Sequence, residues 1–120
     1  MTKVLIVDDE LENCIVLERI FLECPGNPDL KTCHSGEEAL TRMAAWQPDI
    51  IFMDLHLPGM DGIMTIKNMR QTGFSGKIVL MTGDYRSEHA RNAARAGADG
   101  FLAKPVDGKY LCTIVASVVI

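Results

Sequence analysis

The chain has 120 residues, of which 48% are apolar and 23% charged, and its formal net charge is −4. This length and composition fit one globular domain with a substantial hydrophobic core. The mild acidity argues against a domain that binds nucleic acid by itself, because backbone phosphates require a basic surface. No apolar run reaches the roughly 18 residues that a membrane span needs. Because a strand-like sequence starts at residue 3, no signal peptide is expected.

Short apolar runs alternate with helical patterns along the chain. Taken in order, the predicted elements are a strand at 3–7, a helix at 11–24, a strand at 29–33, a helix at 35–47, a strand at 50–54, a helix at 61–72, a strand at 77–81, a helix at 86–96, a strand at 99–103 and a helix from 107 that places Val118 and Val119 near its inner face. This alternation predicts an α/β fold in which a parallel sheet is covered on both sides by right-handed crossovers.

Two details of this prediction concern the ends of elements. Ser35 with Glu38 three residues later has the spacing of a helix-capping box. Gly97 stands where a glycine closes a helix. The second strand is the weakest and is predicted to lie at an edge, and the connection Pro25–Pro28 leaves its register undetermined.

The cysteines form no recognisable metal or redox motif. They are Cys14, Cys24, Cys33 and Cys112, and no two are spaced as C-x-x-C. The prediction is four reduced thiols in a cytosolic protein, most of them filling the core.

Polar side chains stand where four of the five predicted strands end. These side chains are Asp8, Asp9, Asp54, Thr82 and Lys104. Singly, each is an ordinary turn residue. In a parallel sheet, however, these ends share one edge, which is the edge where open α/β sheets bind ligands. The joint pattern therefore predicts one functional site.

Phosphoryl transfer to a carboxylate is the chemistry that needs this set of groups. Clustered carboxylates repel one another and require a cation at neutral pH. Oxygen ligands of this kind suit Mg²⁺. A carboxylate can act as nucleophile and form an aspartyl phosphate, while an ammonium and a hydroxyl stabilise the transferred group.

With these residues at its strand ends, the chain resembles the receiver domain of two-component response regulators. Four segments carry the resemblance, in the family's order: 4–10, 51–62, 78–83 and 97–105. The resemblance implies a doubly wound (βα)5 fold with the flavodoxin-like strand order 2-1-3-4-5. It also implies a phosphorylated signalling switch, rather than an enzyme, that controls an output domain or partner.

The resemblance assigns roles to the acidic residues. Asp54 would accept a phosphoryl group from a sensor histidine kinase, a histidine phosphotransfer protein or a small acyl phosphate. Asp8, Asp9, Asp54 and the backbone carbonyl of His56 would hold Mg²⁺.

The same resemblance assigns the remaining site residues. Lys104 would pair with the phosphoryl group, and the Lys104–Pro105 bond would be cis. Thr82 would move toward a phosphoryl oxygen, and Phe101 would turn inward to fill the space that Thr82 leaves. The alternative for Phe101 is a simple core aromatic.

Two further features depart from the family pattern or leave its meaning open. His56 either influences the lifetime of the phosphoryl group or contributes only its backbone. The last helix is rich in β-branched residues and lacks a charged outer face, which a partner, a dimer mate or a domain border would explain. Residues 1–120 are therefore expected to form the N-terminal receiver domain of a longer regulator, with a single-domain regulator as the alternative.

A cytoplasmic location is expected, without a membrane contact. A homodimer would use the face built from the fourth helix, the fifth strand and the fifth helix. The residues expected near this face are Arg86, His89, Arg91, Arg95, Lys109 and Tyr110.

Three other functional classes compete with the receiver interpretation. A phosphatase of the haloacid dehalogenase type needs a second Asp two residues after the nucleophile, where this chain has His56. A flavodoxin-like FMN carrier needs a phosphate-binding loop after the first strand, where three successive acids would repel phosphate. A receiver that works without phosphorylation is disfavoured because every chemical residue is present.

Overall fold

The computed structural model describes residues 1–84 and 86–118. Its strands are β1 Lys3–Val7, β2 Asp29–Cys33, β3 Ile50–Asp54, β4 Lys77–Thr82 and β5 Gly100–Ala103. All neighbouring strands are parallel, and the sheet order is β2-β1-β3-β4-β5. The predicted doubly wound α/β fold and its strand order are confirmed.

Helices cover both faces of the sheet. They are α1 Leu11–Leu22, α2 Gly36–Trp46, α3 Gly62–Gln71, α4 Ser87–Ala96 and α5 Gly108–Ala116. Helices α1 and α5 pack on one face, and α2, α3 and α4 pack on the other. Within residues 1–84 and 86–118, no helix combines the length and the apolar character that crossing a membrane requires.

Alternate residues of the central strands serve opposite faces of the sheet. In β3, Ile51 and Met53 face α2, α3 and α4, whereas Ile50 and Phe52 face α1 and α5. All four are fully buried. Burial on both faces is why the strand reads as a continuous apolar run rather than an alternating one.

The register of the edge strand is defined by its pairing with β1. Lys3 pairs with Asp29 and Val7 pairs with Cys33, with the residues between them in step. The preceding connection turns through Gly26 and Asn27, which both have positive φ values. This turn brings β2 alongside β1 after α1 ends.

The predicted caps are present, with one difference. The Ser35 side chain accepts a hydrogen bond from the Glu38 N–H at 3.1 Å. The Glu38 carboxylate, however, accepts from the N–H of His34 at 2.9 Å instead of from Ser35 itself. Gly97 caps α4 with φ 116°. Helix α1 ends at Leu22, two residues earlier than predicted, and Val119 lies outside the described residues.

The prediction of four reduced thiols is wrong. Cys24 and Cys112 form a disulfide across a Cα–Cα distance of 5.3 Å, although 88 positions separate them in sequence. Cys14 and Cys33 are free and buried, as predicted for core residues. Burial raises the pKa of Cys14 to about 11 and that of Cys33 to about 12, so both remain thiols at neutral pH. The pairing was missed because it depends on how α1 meets α5.

Candidate functional site

The carboxyl ends of β1, β3, β4 and β5 bring the predicted polar groups to one edge. Asp8, Asp54 and Thr82 are at most 5% exposed. The ammonium of Lys104 lies 3.0 Å from Asp8 Oδ2 and 3.3 Å from Asp54 Oδ2. Groups from both ends of the sequence therefore meet within hydrogen-bonding distance.

Asp54 is positioned by the backbone of the sheet. It pairs with Met81 in β4, and the following N–H, that of Leu55, donates to the Met81 carbonyl. The N–H of His56 donates to Asp54 Oδ1 at 3.2 Å, while Lys104 donates to Oδ2. Each carboxylate oxygen thus has a donor of its own, and the side chain is fixed in orientation.

The charges of this cluster influence one another. Burial raises the pKa of Asp54; the Lys104 ammonium opposes this shift, and the Asp8 carboxylate adds to it. For Lys104, burial disfavours the charged form, but the Asp8 hydrogen bond and the charges of Asp54 and Asp8 outweigh it and raise the pKa. The ammonium therefore stays charged, and it balances part of the negative charge at the edge.

Three successive acids at the end of β1 offer oxygen ligands for a metal ion. Asp8, Asp9 and Glu10 each have a carboxylate oxygen within 4.8 Å of the others. Asp8 is fully buried, whereas Asp9 and Glu10 are exposed. Oxygen ligands with an exposed side suit Mg²⁺, which keeps several of its waters. The donor set therefore fits this ion.

Glu10 is a candidate ligand that was not predicted from the sequence. Its backbone N–H donates to Asp8 Oδ1 at 2.9 Å, while Lys104 occupies Asp8 Oδ2. This turn holds Glu10 beside the buried acid. The run of three acids was visible in the sequence and could have indicated it.

The Thr82 hydroxyl is engaged by the loop that follows β4. Its oxygen accepts a hydrogen bond from the N–H of Asp84 at 3.0 Å. At the end of β5, the N–H of Lys104 donates to the Thr82 carbonyl at 2.8 Å. The ends of β4 and β5 are thus tied together at the site.

A second network, not predicted from the sequence, surrounds Asp84. Its carboxylate accepts from Arg86 at 2.6 Å and contacts His89 Nε2 at 3.0 Å. His56 Nε2 lies 3.7 Å away. Hydrogen bonding by Arg86 lowers the pKa of Asp84 below its usual range. The network joins the loop after Asp54 to the start of α4.

The two remaining predicted residues lie on or just after β5. Phe101 is half-buried, pairs with Leu80 and packs against the core beneath α2, α3 and α4. The Lys104–Pro105 peptide bond is cis. Phe101 is thus a core contact in this structure, at the edge strand of the sheet.

Gly62 allows α3 to begin directly against the Asp54 backbone. A Cβ at this position would meet the Asp54 carbonyl oxygen at 2.3 Å and the Leu55 Cα at 3.0 Å. Backbone atoms cannot move aside as a flexible side chain can. Close approach, rather than an unusual φ, therefore demands glycine here.

Gly62→Ala is expected to lower the free energy of unfolding by about 2 kcal/mol, since the clash displaces α3 or the end of β3. Urea unfolding measures this. Gly83→Ala is the matched control, because a Cβ at Gly83 would meet nothing within 4 Å. Equal stability of the two variants would contradict the close-approach argument.

An apolar surface on α1 flanks the site. Its large exposed side chains include Leu11, Ile15 and Val16. Of these three, Val16 lines a groove of about 320 Å³, whose other lining residues are Asn13, Leu17, Ile20, Met81, Lys104, Pro105 and Val106. Mostly apolar side chains thus line this groove beside Lys104.

Comparison with known proteins points to one family. The family model described as "Response regulator receiver domain" matches residues 4–116. The sensory/regulatory protein RpfC of Xanthomonas campestris is 36% identical over 98% of this chain. The transcriptional regulatory protein PhoP of Bacillus subtilis, which controls alkaline phosphatase synthesis, is 36% identical over 86%, and the nitrate/nitrite response regulator NarL of Escherichia coli is 28% identical over 90%.

Solved structures agree with the sequence relatives. The chemotaxis protein CheY4 of Vibrio cholerae superposes with a TM-score of 0.89 at 26% identity, covering 99% of each chain. A two-component response regulator from Clostridium difficile gives a TM-score of 0.91 at 28% identity, covering 98% of this chain and 95% of the other. The curated sequence relatives are longer: the chain spans 16% of RpfC, 42% of PhoP and 50% of NarL.

Proposed function

Because this chain belongs to the response regulator receiver domain family, a family of signalling switches phosphorylated on Asp, we propose that Asp54 is its phosphoacceptor. The observation that carries this proposal is the placement of Lys104 within 3.0 Å of Asp8 and 3.3 Å of Asp54. A nucleophile, a cation for the transferred group and a buried acid then occupy one sheet edge.

The proposed reaction follows from the positions of these groups. An oxygen of Asp54 attacks phosphorus, and a new P–O bond forms as the donor's bond to phosphorus breaks. That broken bond is P–N for a phosphohistidine and P–O for an acyl phosphate. Lys104 neutralises charge on the phosphoryl oxygens, and the His56 N–H holds Asp54 Oδ1 in place.

Receiver domains bind Mg²⁺ at their acidic pocket, and this chain has such a cluster. The proposed ligands are Asp8, Asp9, Asp54 and the backbone carbonyl of His56, with Glu10 beside them. When bound, the ion would supply positive charge to the transferring phosphoryl group. The fully buried Asp8 anchors this set, because its carboxylate is already fixed by Glu10 N–H and Lys104.

The proposed switch begins at Thr82. On phosphorylation, the hydroxyl gives up the hydrogen bond that it accepts from the Asp84 N–H and donates to a phosphoryl oxygen instead. This change frees the loop in which Arg86 and His89 contact Asp84. Phe101 then moves further into the core. Local charge change thereby biases a two-state element.

The test of the function is the intact mass after incubation with acetyl phosphate. One phosphoryl group per chain is expected with Mg²⁺ and none with EDTA. The adduct should be removed by hydroxylamine, which cleaves an acyl phosphate but leaves a phosphoserine intact. No mass gain under any of these conditions would contradict the proposal.

The proposed donor in the cell is a sensor histidine kinase or a histidine phosphotransfer protein. The exposed side chain of Val16 lines the groove that also includes Lys104, and the Lys104 ammonium lies 3.3 Å from Asp54, so a donor that covers the surface around Val16 lies beside the acceptor site. We therefore assign this surface to the helix that carries the donor's phosphohistidine. Burial of apolar area would supply the affinity.

Val16→Lys is expected to slow phosphorylation by a phosphorylated histidine kinase by about tenfold, since one buried apolar contact is lost. The kinase used is the one that phosphorylates the wild-type chain fastest among the histidine kinases of the organism that produces this chain. Phosphorylation by acetyl phosphate should not change, because this donor needs no docking surface.

Leu22→Lys is the matched control for this prediction. Leu22 is the last residue of the same helix, is 67% exposed, and does not line the groove. It should leave both rates unchanged. If Val16→Lys slowed both donors equally, the effect would lie in the acceptor site and the docking assignment would be wrong.

Several finer expectations remain part of the proposal. The domain is proposed to act in the cytoplasm, to bind no nucleic acid by itself and to serve as the N-terminal domain of a longer regulator. Phosphorylation is proposed to alter the face formed by α4, β5 and α5, which is also the proposed dimer face. The domain is also proposed to promote its own phosphorylation and dephosphorylation.

A further inference from the structure

Helices α1 and α5 approach closely along one seam. A Cβ at Gly108 would lie 3.4 Å from Cγ2 of Ile20. Cys24 and Cys112 lie four residues further along each side of the seam, where they form the disulfide. The bridge therefore extends an existing line of contact between the first and last helices.

The two bridged residues differ in exposure. Cys24, two residues after the end of α1, is 3% exposed, whereas Cys112 on α5 is only partly buried. Cys24 Sγ also lies 3.4 Å from the Ile20 carbonyl oxygen, which can accept from an S–H. An incoming thiolate therefore reaches Cys112 first. Once the Cys24 thiol is released from the disulfide, it can donate a hydrogen bond to the Ile20 carbonyl oxygen.

The remaining cysteines do not compete for this chemistry. Cys14 and Cys33 are buried, with pKa values raised to about 11 and about 12. The thiolate is the reactive form of cysteine, so both are protected in the folded chain. Exchange is therefore confined to one pair.

We propose that Cys24 and Cys112 form a reversible thiol–disulfide exchange site that fastens α5 to α1 when oxidised and releases α5 when reduced. The reductant is a small or protein thiol. Its thiolate attacks the sulfur of Cys112, the Cys24–Cys112 bond breaks, and the Cys24 thiolate takes up a proton. A second reductant thiol then attacks the mixed disulfide, so Cys112 leaves as a thiol and the reductant becomes a disulfide.

The cytoplasmic setting proposed above gives this site its significance. Disulfides rarely persist in that compartment, where thiol reductants are abundant. A pair that forms there would respond to the balance of thiols and disulfides. Any effect on the α4, β5 and α5 face rests on the proposed function, whereas the exchange itself does not.

The first test equilibrates the full chain with reduced and oxidised glutathione at a series of ratios. Acid quenching, denaturation and alkylation then count the free thiols by mass. The chain has four cysteines, of which two are free in the structure. Two labels are expected at the oxidising end and four at the reducing end, with Cys24 and Cys112 changing together.

Two results would overturn the proposal. Two labels persisting under excess reduced glutathione would mean a permanent structural bridge. Four labels persisting under excess oxidised glutathione would mean that the pair does not bond. Neither result depends on whether Asp54 is phosphorylated.

The second test compares amide hydrogen exchange in the two redox states. Reduction is expected to speed exchange in α5 by at least about tenfold and to leave α3 unchanged, because the bridge restrains α5 locally. In Cys112→Ser, the amides of α5 should exchange as fast as in the reduced wild type. In Cys33→Ala, amide exchange in α5 should still depend on the redox state. If Cys112→Ser does not fold, the comparison of oxidised and reduced wild type still tests the proposal. Equal rates of amide hydrogen exchange in α5 in these two states would refute the release of α5 on reduction.

Discussion

Asp54→Asn is expected to abolish phosphoryl incorporation from acetyl phosphate. The amide has the size of the carboxylate but lacks its nucleophilic oxygen, so no acyl phosphate can form. Intact mass with Mg²⁺ measures the result. Asp29→Asn is the matched control, since Asp29 is exposed at the start of β2, at the opposite edge of the sheet. It should gain one phosphoryl group as the wild type does.

The stability of Asp54→Asn separates lost chemistry from lost structure. The pKa of Asp54 is raised by burial and by Asp8, so the fold disfavours the ionised carboxylate. The stability that a protonated Asp54 contributes is present below its ordinary pKa of 3.8 and is lost as pH rises through the raised value. The variant should therefore be at least as stable as the wild type at pH 7 without Mg²⁺. A less stable variant, or one that still gains the phosphoryl mass, would contradict the assignment.

The strands of the sheet and the polar residues at their carboxyl ends could be predicted because both give local patterns in the sequence. Each buried strand is a continuous apolar run, and Asp8, Asp54, Thr82 and Lys104 follow such runs directly. Parallel pairing then places the strand ends on one edge without any knowledge of side-chain packing. The Ser35 cap was predictable for the same reason, since its partner lies three residues away.

Features that depend on how distant surfaces meet could not be predicted. Cys24 and Cys112 approach only because α1 and α5 pack on the same face of the sheet. The contacts of Asp84 with Arg86 and His89 require a particular loop path and particular rotamers. Periodicity and spacing contain no information about either. Glu10 is different, because its sequence signal was present and was not assigned a role.

Lys104→Met is expected to lower the rate of phosphorylation by acetyl phosphate by about 100-fold. Methionine keeps much of the apolar stem but removes the only charge that contacts both Asp8 and Asp54 among the described ion pairs. Loss of a positioned donor to a developing negative charge typically costs this much. Lys77→Met is the control, since Lys77 is exposed at the start of β4, and it should keep the wild-type rate. A wild-type rate in Lys104→Met would show that Lys104 takes no part in the transfer.

The same variant should also be less stable, and the loss should depend on pH. Without the ammonium, Asp8 and Asp54 face each other in a buried site, which is expected to cost about 2 kcal/mol at pH 7 in the absence of Mg²⁺. Lys104 opposes the upward shift of the Asp54 pKa, so the folded-state pKa of Asp54 rises further in the variant. The variant therefore loses stability as pH rises through that higher value. The difference in the free energy of unfolding between wild type and variant narrows as pH falls and Asp54 takes up a proton. Lys104→Arg restores the charge and should recover most of the stability. If urea unfolding gave the same gap at about pH 4, near the ordinary Asp pKa, as at about pH 7, the loss would be one of packing and not of charge.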